Sequence, residues 1–147
     1  MGTLGNGMLK TPKSWAILVI SGQDLDPEEI TKRLSVAPDY FHAKSTPEIV
    51  HGKKNQGYWQ LNSKLGGEIP LESHLWSLLK RLALARLEVK KIAKEYNVSL
   101  YTSVEFSDEN TGGITLGARL LLLLGGLGID LEINPWNNEQ TKEKKTK

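Results

Sequence analysis

The stretch Trp15–Ile30, WAILVISGQDLDPEEI, joins a strand to a helix through a short turn. Trp15–Ser21 is apolar on both alternating faces, which predicts a central strand that is covered on both sides. Asp26 stands at the N-cap position of the helix, with Pro27 at the first helical position and Glu29 at the third. This arrangement strongly favours a helix start. We therefore predict a strand that leads directly into a capped helix.

The rest of the first half is predicted as a helix, a loop and a second strand. The first helix carries Ile30 and Leu34 on one face and ends before Pro38. Asp39–Gly57 is rich in polar and turn-forming residues, which predicts a loop. Tyr58–Ser63 alternates apolar with polar residues, a pattern typical of a half-buried strand. Strand, helix and strand therefore follow one another.

A long helix is predicted in the middle of the chain, from Leu71 to Tyr96. Its apolar residues recur at alternating steps of four and three, as expected for one buried helix face. These residues are Leu71, Leu75, Leu78, Leu82, Ala85, Val89, Ile92 and Tyr96. The opposite face is left to solvent or to a partner.

The second half repeats the order strand, helix, strand. Val98–Phe106 alternates in polarity and predicts a strand. Thr115 is the predicted N-cap of a third helix, which should end at the glycines of residues 125–128. Ile129–Ile133 predicts a last strand, ended by Pro135.

This order of elements predicts an α+β fold over residues 14–136. We expect one ferredoxin-like β-α-β, α, β-α-β sandwich with a four-stranded, mainly antiparallel sheet and its helices on one face. A chain of 147 residues is long enough to bury such a core. The N-terminal segment 1–13 and the basic tail 137–147 are predicted to be disordered.

Composition and charge exclude several classes of protein. The chain has no cysteine, which removes disulfide scaffolds and thiolate chemistry and is compatible with a reducing compartment. Its longest apolar run, Leu120–Leu124, is too short to span a bilayer, and residues 1–13 lack the apolar region of a signal peptide. We therefore expect a cytoplasmic protein that does not enter a membrane.

The net charge of +2 comes from the two ends of the chain. Residues 14–136 contain 13 Lys and Arg against 15 Asp and Glu, a balance of −2. A nucleic-acid partner requires a concentrated basic face, so nucleic acid is disfavoured.

No set of residues assigns a catalytic or metal site. The acidic cluster at residues 24–29 is accounted for by helix capping and by the helix dipole. His42, His51 and His74 lack the spacing of metal ligands. No Ser-His-Asp set and no phosphate-binding loop can be assigned. We predict no cofactor and no metal, and we favour a non-enzymatic protein over an enzyme.

The polar sides of the predicted strands form the first candidate binding surface, an open sheet face. It should display Tyr58, Gln60, Asn62, Tyr101, Ser103, Glu105, Asp130, Glu132 and Asn134. RNA-recognition modules stack bases on aromatic residues of a comparable face. Here the face is acidic and lacks their basic-aromatic pattern, which disfavours RNA. A protein partner, a small ligand and a merely solvated face remain open.

A second candidate surface consists of large apolar residues outside the buried helix stripes. They are Trp76, Leu84, Leu87, Leu121 and Leu122. Five such side chains would form a larger exposed patch than a monomer usually carries. Homodimerisation or docking of a partner would cover the patch. The alternative is that the helices bury these residues against each other or under the 39–57 loop.

Four stretches carry a resemblance to a known family. They are Ser21–Ile30, Gly57–Leu61, Glu72–Leu75 and Leu127–Ile133. In their pattern and order, the chain resembles the bacterial family filed as domain of unknown function 4279, over Trp15–Trp136. The resemblance implies the α+β fold and a bacterial protein, and it assigns no activity. The continuous leucines of Leu120–Leu124 depart from the family, whose members usually have polar residues on the outer side of this helix.

These observations predict a binding module for a protein partner, which includes a second copy of the chain or an immunity or regulatory partner. The alternative is a small-ligand sensor that uses the open sheet face. An enzyme or an RNA-binding protein is less favoured.

Overall fold

A computed structural model describes residues 12–44, 56–106 and 112–137, which form five strands and four α-helices. In chain order they are β1 (Ser14–Gly22), α1 (Pro27–Leu34), β2 (Tyr40–His42), β3 (Gly57–Asn62), α2 (Leu71–Arg81), α3 (Arg86–Glu95), β4 (Asn97–Glu105), α4 (Ala118–Leu127) and β5 (Asp130–Trp136). The α+β class is confirmed. The ends predicted to be disordered lie almost wholly outside the described residues.

The strands form one mixed sheet in the order β2-β3-β1-β4-β5. The pair β4–β5 is parallel, and the other neighbouring pairs are antiparallel. A four-stranded, mainly antiparallel sheet is therefore not confirmed. The additional strand, Tyr40–His42, lies in the stretch predicted as a loop, and its three side chains are all exposed. So short a strand shows no alternation of burial that a sequence pattern could reveal.

Strand β2 also changes the connectivity of the first half. It is antiparallel to β3, which is antiparallel to β1, so β2 runs parallel to β1. Helix α1 thus connects two parallel strands, and β3 inserts between them in a split β-α-β arrangement. In the second half, α4 connects the neighbouring parallel strands β4 and β5. The strand predicted to close the first half, Tyr58–Ser63, is therefore the inserted one.

The start of α1 agrees with the predicted cap. Asp26 Oδ1 accepts a hydrogen bond of 3.0 Å from the Glu28 backbone N–H, and Pro27 is the first helical residue. The turn before the helix passes close to the start of β3. A Cβ atom on Gly57 would collide with the carbonyl oxygen of Leu25. This position accordingly requires glycine, because no other residue permits so close an approach.

The predicted long helix is two helices, α2 and α3, joined by the 3₁₀ turn Ala83–Ala85. The Leu82 N–H donates to the Leu79 carbonyl, three residues back, which tightens the helix at this point. No glycine or proline marks the turn. The prediction of one continuous helix was wrong, although Leu82 and Val89 on its stripe are buried as expected.

Helix α4 begins later than predicted and ends within the predicted glycines. Its N-cap is Gly117, whose N–H donates to Glu72 Oε1 at 2.7 Å, so Thr115 is not the cap. The helix continues through two glycines and ends at Leu127. Gly128 then closes it in the left-handed conformation, with a φ of 79°.

The helices cover one face of the sheet and enclose the apolar core. Trp59 is fully buried at its centre, and its indole N–H donates to Thr31 Oγ1 of α1 at 3.0 Å. The largest other fully buried side chains are Leu18, Ile20, Ile30, Leu61, Leu71, Leu75, Leu78, Ile92, Leu100, Leu120 and His74. In the described part of the chain, no helix has the length and apolar character needed to cross a membrane.

A network around Asp39 ties β2 and β3 to α2. Asp39 accepts hydrogen bonds from the Asn62 N–H at 2.8 Å and from Arg81 at 3.3 Å, and it pairs with Lys64 Nζ at 2.7 Å. Burial alone would raise the pKa of Asp39. The hydrogen bonds from Asn62, Lys64 and Arg81 outweigh burial and lower that pKa, so the carboxylate stays charged.

Candidate functional site

An apolar groove lies where α2, the 3₁₀ turn, α3 and α4 meet. Its volume is about 140 Å³. It is lined by Trp76, Leu79, Lys80, Leu82, Ala83, Arg86, Val89, Leu123, Leu127 and Ile129. An apolar cavity of about 150 Å³ holds one benzene molecule. The groove therefore has room for one large apolar side chain.

Exposed leucines lie on the same helices and turn that form this groove. Leu84 is fully exposed, Leu87 is 73 % exposed and Leu122 is 79 % exposed, while Leu121 is 48 % exposed. Leu84 follows the groove residue Ala83, Leu87 follows Arg86, and Leu122 precedes Leu123. The alternative that the helices bury these side chains does not hold for the four leucines. It holds in part for Trp76, which packs partly against the core and forms one wall of the groove.

Cationic side chains stand around the same groove. Lys80 and Arg86 line it, and Arg119 lies four residues before Leu123, on the same side of α4. Among the described residues, none of these three cations forms an ion pair. The carboxylates of the same helices are engaged, Glu72 with the N-terminus of α4 and both Glu88 and Glu95 with Arg33. The outer surface of the helix layer is therefore apolar with a positive rim.

Helix α4 presents two glycines on its exposed side. A Cβ atom at Gly125 or Gly126 would meet nothing within 4 Å, and neither residue has a positive φ. Each glycine lowers helix stability by about 1 kcal/mol relative to alanine. Packing within the described chain does not require either of them. They leave the α4 backbone open to close approach from outside.

The open sheet face carries a polar ladder along β3. The Tyr58 hydroxyl donates to Gln60 Oε1 at 2.7 Å, and Gln60 Nε2 donates to Asn62 Oδ1 at 2.6 Å. Burial raises the pKa of Tyr58, with smaller contributions from Tyr101 and Tyr40. The Tyr58 phenol therefore stays a neutral donor at neutral pH.

An aromatic cluster occupies the β2–β3 corner of this face. The rings of His42 and Tyr58 are stacked, with centroids 5.1 Å apart and planes at 5°. Tyr40 meets both rings edge-on, at 5.7 Å from Tyr58 and 6.0 Å from His42. These geometries are favourable for aromatic pairs. The short strand β2 thus supplies two aromatic residues that the predicted open face lacks.

The opposite corner of the open face combines acids with two tryptophans. Asp130, Glu132 and Asn134 are exposed on β5, and Asn134 Nδ2 donates to Glu132 Oε2 at 3.0 Å. The rings of Trp15 and Trp136 lie with centroids 5.7 Å apart. This corner is negative, whereas the helix layer on the other side of the sheet is positive.

Comparison with known proteins supports the resemblance seen in the sequence. The family model described as "Domain of unknown function (DUF4279)" matches residues 11–138. The chain belongs to the DUF4279 family. No curated protein and no solved structure matches it.

The six residues predicted as a ligand site do not come together at one point in this DUF4279 chain. Tyr58 and Gln60 lie on β3, and Tyr101 is exposed on β4. Asp130 and Glu132 lie on the edge strand β5. Glu105 is 6 % exposed, so the expectation that it is displayed is wrong. It sits at the end of β4, where its backbone N–H donates to the Lys13 carbonyl.

In the described part of the DUF4279 chain, a serine and a histidine form a close, buried pair. Ser63 Oγ lies 2.6 Å from His74 Nδ1, and His74 Nε2 lies 3.1 Å from the Gly66 carbonyl oxygen. Since Nε2 must donate to that carbonyl, Nδ1 accepts from the serine hydroxyl. Burial lowers the pKa of His74, which keeps the ring neutral. The serine hydroxyl donates this hydrogen bond to a fully buried ring, so the pair ties the 63–66 turn to α2.

The acidic cluster at residues 24–29 has structural partners. Asp26 caps α1, Glu29 pairs with Arg33 at 3.7 Å, and Asp24 pairs with Lys44 at 3.5 Å. Within residues 12–44, 56–106 and 112–137, no group of three or more His, Cys, Asp or Glu could hold a metal ion. His51 lies outside the described residues.

Proposed function

We propose that this DUF4279 domain is a non-enzymatic binding module that docks a protein partner on its helix layer. The supporting observation is the exposure of Leu84, Leu87 and Leu122 on the segments that form an apolar groove. Each of these leucines has a large apolar side chain that lies outside the core. Burial of one such side chain by a partner stabilises a complex by about 1.5–3 kcal/mol. The proposal includes a bacterial, cytoplasmic setting, with which the cysteine-free composition is compatible.

Site-specific photocrosslinking tests the proposal directly. A benzoylphenylalanine is placed at Leu87 or Leu122 in cells that naturally make the protein, and the matched control carries it at Tyr101 on the open sheet face. We expect a discrete protein adduct from residues 87 and 122 and none from 101. Adducts from 101 alone, or from none of the three positions, would contradict helix-layer docking.

The mass of the adduct separates a second copy from a different partner. An adduct of twice the chain's own mass identifies a homodimer, and light scattering at low micromolar concentration should then show the dimer without crosslinker. Any other mass identifies a heterologous partner. An immunity or regulatory role is distinguished by whether that partner is a toxin or an enzyme.

A second candidate function is small-ligand sensing at the open sheet face. The aromatic cluster of Tyr40, His42 and Tyr58 favours it, because stacked rings provide a flat surface for a planar ligand. A thermal-shift screen against metabolites tests it, since a ligand at 100 times its dissociation constant adds about 2.7 kcal/mol of stability. Replacing Tyr58 and Tyr101 with alanine should abolish a shift that arises at this face.

A further inference from the structure

We infer that the helix-layer groove receives one bulky apolar side chain of an amphipathic helix whose flanking residues are acidic. This inference rests on the proposed function and adds the chemistry of the partner. Three features of the same helix layer support it. These are the volume of the groove, the cations around it and the open backbone of α4.

The volume of the groove limits the size of the partner side chain that can enter it, which we call the anchor. Its volume of about 140 Å³ matches a leucine or phenylalanine side chain rather than a longer apolar segment. The walls come from three helices, with Trp76 from α2, Val89 from α3 and Leu123 from α4. Such a pocket takes one anchor, and the exposed leucines beside it contact the apolar residues one turn before and after.

The rim sets the charge of the partner. Lys80 and Arg86 line the groove, and Arg119 lies one helical turn before the groove residue Leu123 on α4. Among the described residues, none of these three cations has an ionic partner. Carboxylates placed one turn from the anchor on a docked helix would reach these cations. A second copy meeting this face with the same face would instead bring like charges together, which opposes a symmetric homodimer through the groove.

The glycines set the distance of approach. Gly125 and Gly126 leave the outer side of α4 without side chains next to Leu122. A helix that crosses α4 at these glycines can bring its backbone closer to the α4 backbone than it could if residues 125 and 126 carried side chains. The two glycines, which the described chain does not need, are consistent with a partner whose backbone lies against them.

Designed peptides test this inference without knowledge of the natural partner. The probe is a helical peptide of about 15 residues, with one phenylalanine anchor and glutamates in the flanking turns. One twin replaces the glutamates with lysines, and another replaces the anchor with alanine. Binding is measured by fluorescence anisotropy with the full chain. We expect the acidic peptide to bind at least about tenfold more tightly than either twin, and added salt to weaken it.

Variants of the protein locate the bound peptide. Lys80→Glu with Arg86→Glu should weaken the acidic peptide about tenfold and strengthen the basic twin. The matched control is Lys13→Glu with Lys32→Glu, which makes the same charge change at exposed positions away from the groove and should alter affinity less than about threefold. Ala83→Phe, which fills the groove from an exposed position, should abolish the anchor's contribution. Circular dichroism checks that each variant is folded.

Three results would overturn the inference. They are equal or tighter binding of the basic twin, unchanged affinity of Ala83→Phe for the anchored peptide, and no binding of the acidic peptide at about 1 mM. If crosslinks at residues 87 and 122 are still found in cells, helix-layer docking stands and only the acidic-helix chemistry fails. If those crosslinks are missing as well, both fail.

Discussion

The helix layer and the open sheet face are both exposed, but they differ in what their side chains already contact. On the sheet face, Tyr58 bonds to Gln60, His42 stacks on Tyr58, and Trp15 lies against Trp136. On the helix layer, Leu84 and Leu122 project into solvent. Exposed polar groups can satisfy one another within a monomer, whereas exposed leucines gain only when something covers them.

This difference favours the helix layer as the binding surface. A ligand on the sheet face must compete with contacts that already exist, such as the Tyr58–Gln60–Asn62 ladder. A partner on the helix layer displaces only water from the leucines. The following variants test the contrast in order of decreasing expected effect on stability.

The largest effect is expected from Gly57→Ala at the start of β3. The new Cβ would collide with the Leu25 carbonyl oxygen, so the turn or the strand has to move. We expect a loss of about 2–4 kcal/mol in the free energy of unfolding, measured by urea denaturation. A loss below about 1 kcal/mol would show that the close approach is not needed.

Asp39→Asn should remove the next largest contribution. The variant loses the ion pairs with Lys64 and Arg81 beneath the aromatic corner, and we expect about 1–3 kcal/mol of destabilisation. The folded pKa of Asp39 is lowered below 3.8, so its contribution is present above that pH and is lost as the pH falls through the folded value. The stability difference between wild type and variant should therefore shrink in acid. A difference that does not change with pH would contradict this account.

His74 should also make the free energy of unfolding depend on pH, through burial of the ring rather than through ion pairs. Burial lowers the pKa of His74 in the folded chain from 6.5. Below pH 6.5 this imidazole is therefore protonated in the unfolded chain while it stays neutral in the folded chain. Stability should fall as the pH drops below this value. His74→Gln, compared with wild type across the same pH series, should lack this part of the slope. An identical slope in the two proteins would mean that His74 does not cause it.

Gly125→Ala and Gly126→Ala should stabilise the fold. Both positions are exposed, helical and free of nearby atoms, so each substitution should add about 0.5–1 kcal/mol in thermal or urea unfolding. The same variants should bind the acidic probe peptide more weakly. A gain in stability with no loss of binding would remove the glycines from the docking surface.

The smallest change in stability is expected from Leu84→Ser and Leu122→Ser. These side chains contribute almost nothing to the core, so unfolding should shift by less than about 0.5 kcal/mol. Binding of a hydrophobic dye should fall. The matched control is Leu124→Ser on the same helix, where the side chain is buried and the loss should be several kcal/mol, roughly 2–5. Equal losses at Leu122 and Leu124 would show that the two faces of α4 are not different.

The sequence predicted those elements in which one pattern of polar and apolar residues continues over many positions. Trp15–Ser21 is apolar over a full strand, Val98–Phe106 alternates over another, and the stripe from Leu71 extends over several turns, so burial leaves a pattern that can be recognised in the sequence. Strand β2 and the 3₁₀ turn at Ala83–Ala85 each span three residues, and local contacts rather than period determine them. The direction of strands could not be read either, since pairing joins residues far apart in the chain.

The candidate surfaces were predictable to different degrees. Leu84, Leu87 and Leu122 could be found because residues that fall outside a helical stripe point away from the core. The groove could not be found, because it depends on how Lys80, Arg86 and Leu123 from three helices converge. Glu105 was misplaced because alternation predicts the side of a strand, and burial at its end depends on neighbouring segments.

The two edges of the sheet restrict how another chain could add to it. Strand β2 offers a length of three residues, and β5 carries Pro135, which has no N–H to donate. Short strands and edge prolines both discourage the pairing of one molecule's sheet with another's. The edges of the described sheet are therefore poor templates for fibril growth or for the addition of another strand. These edges favour recognition through side chains over recognition by strand addition.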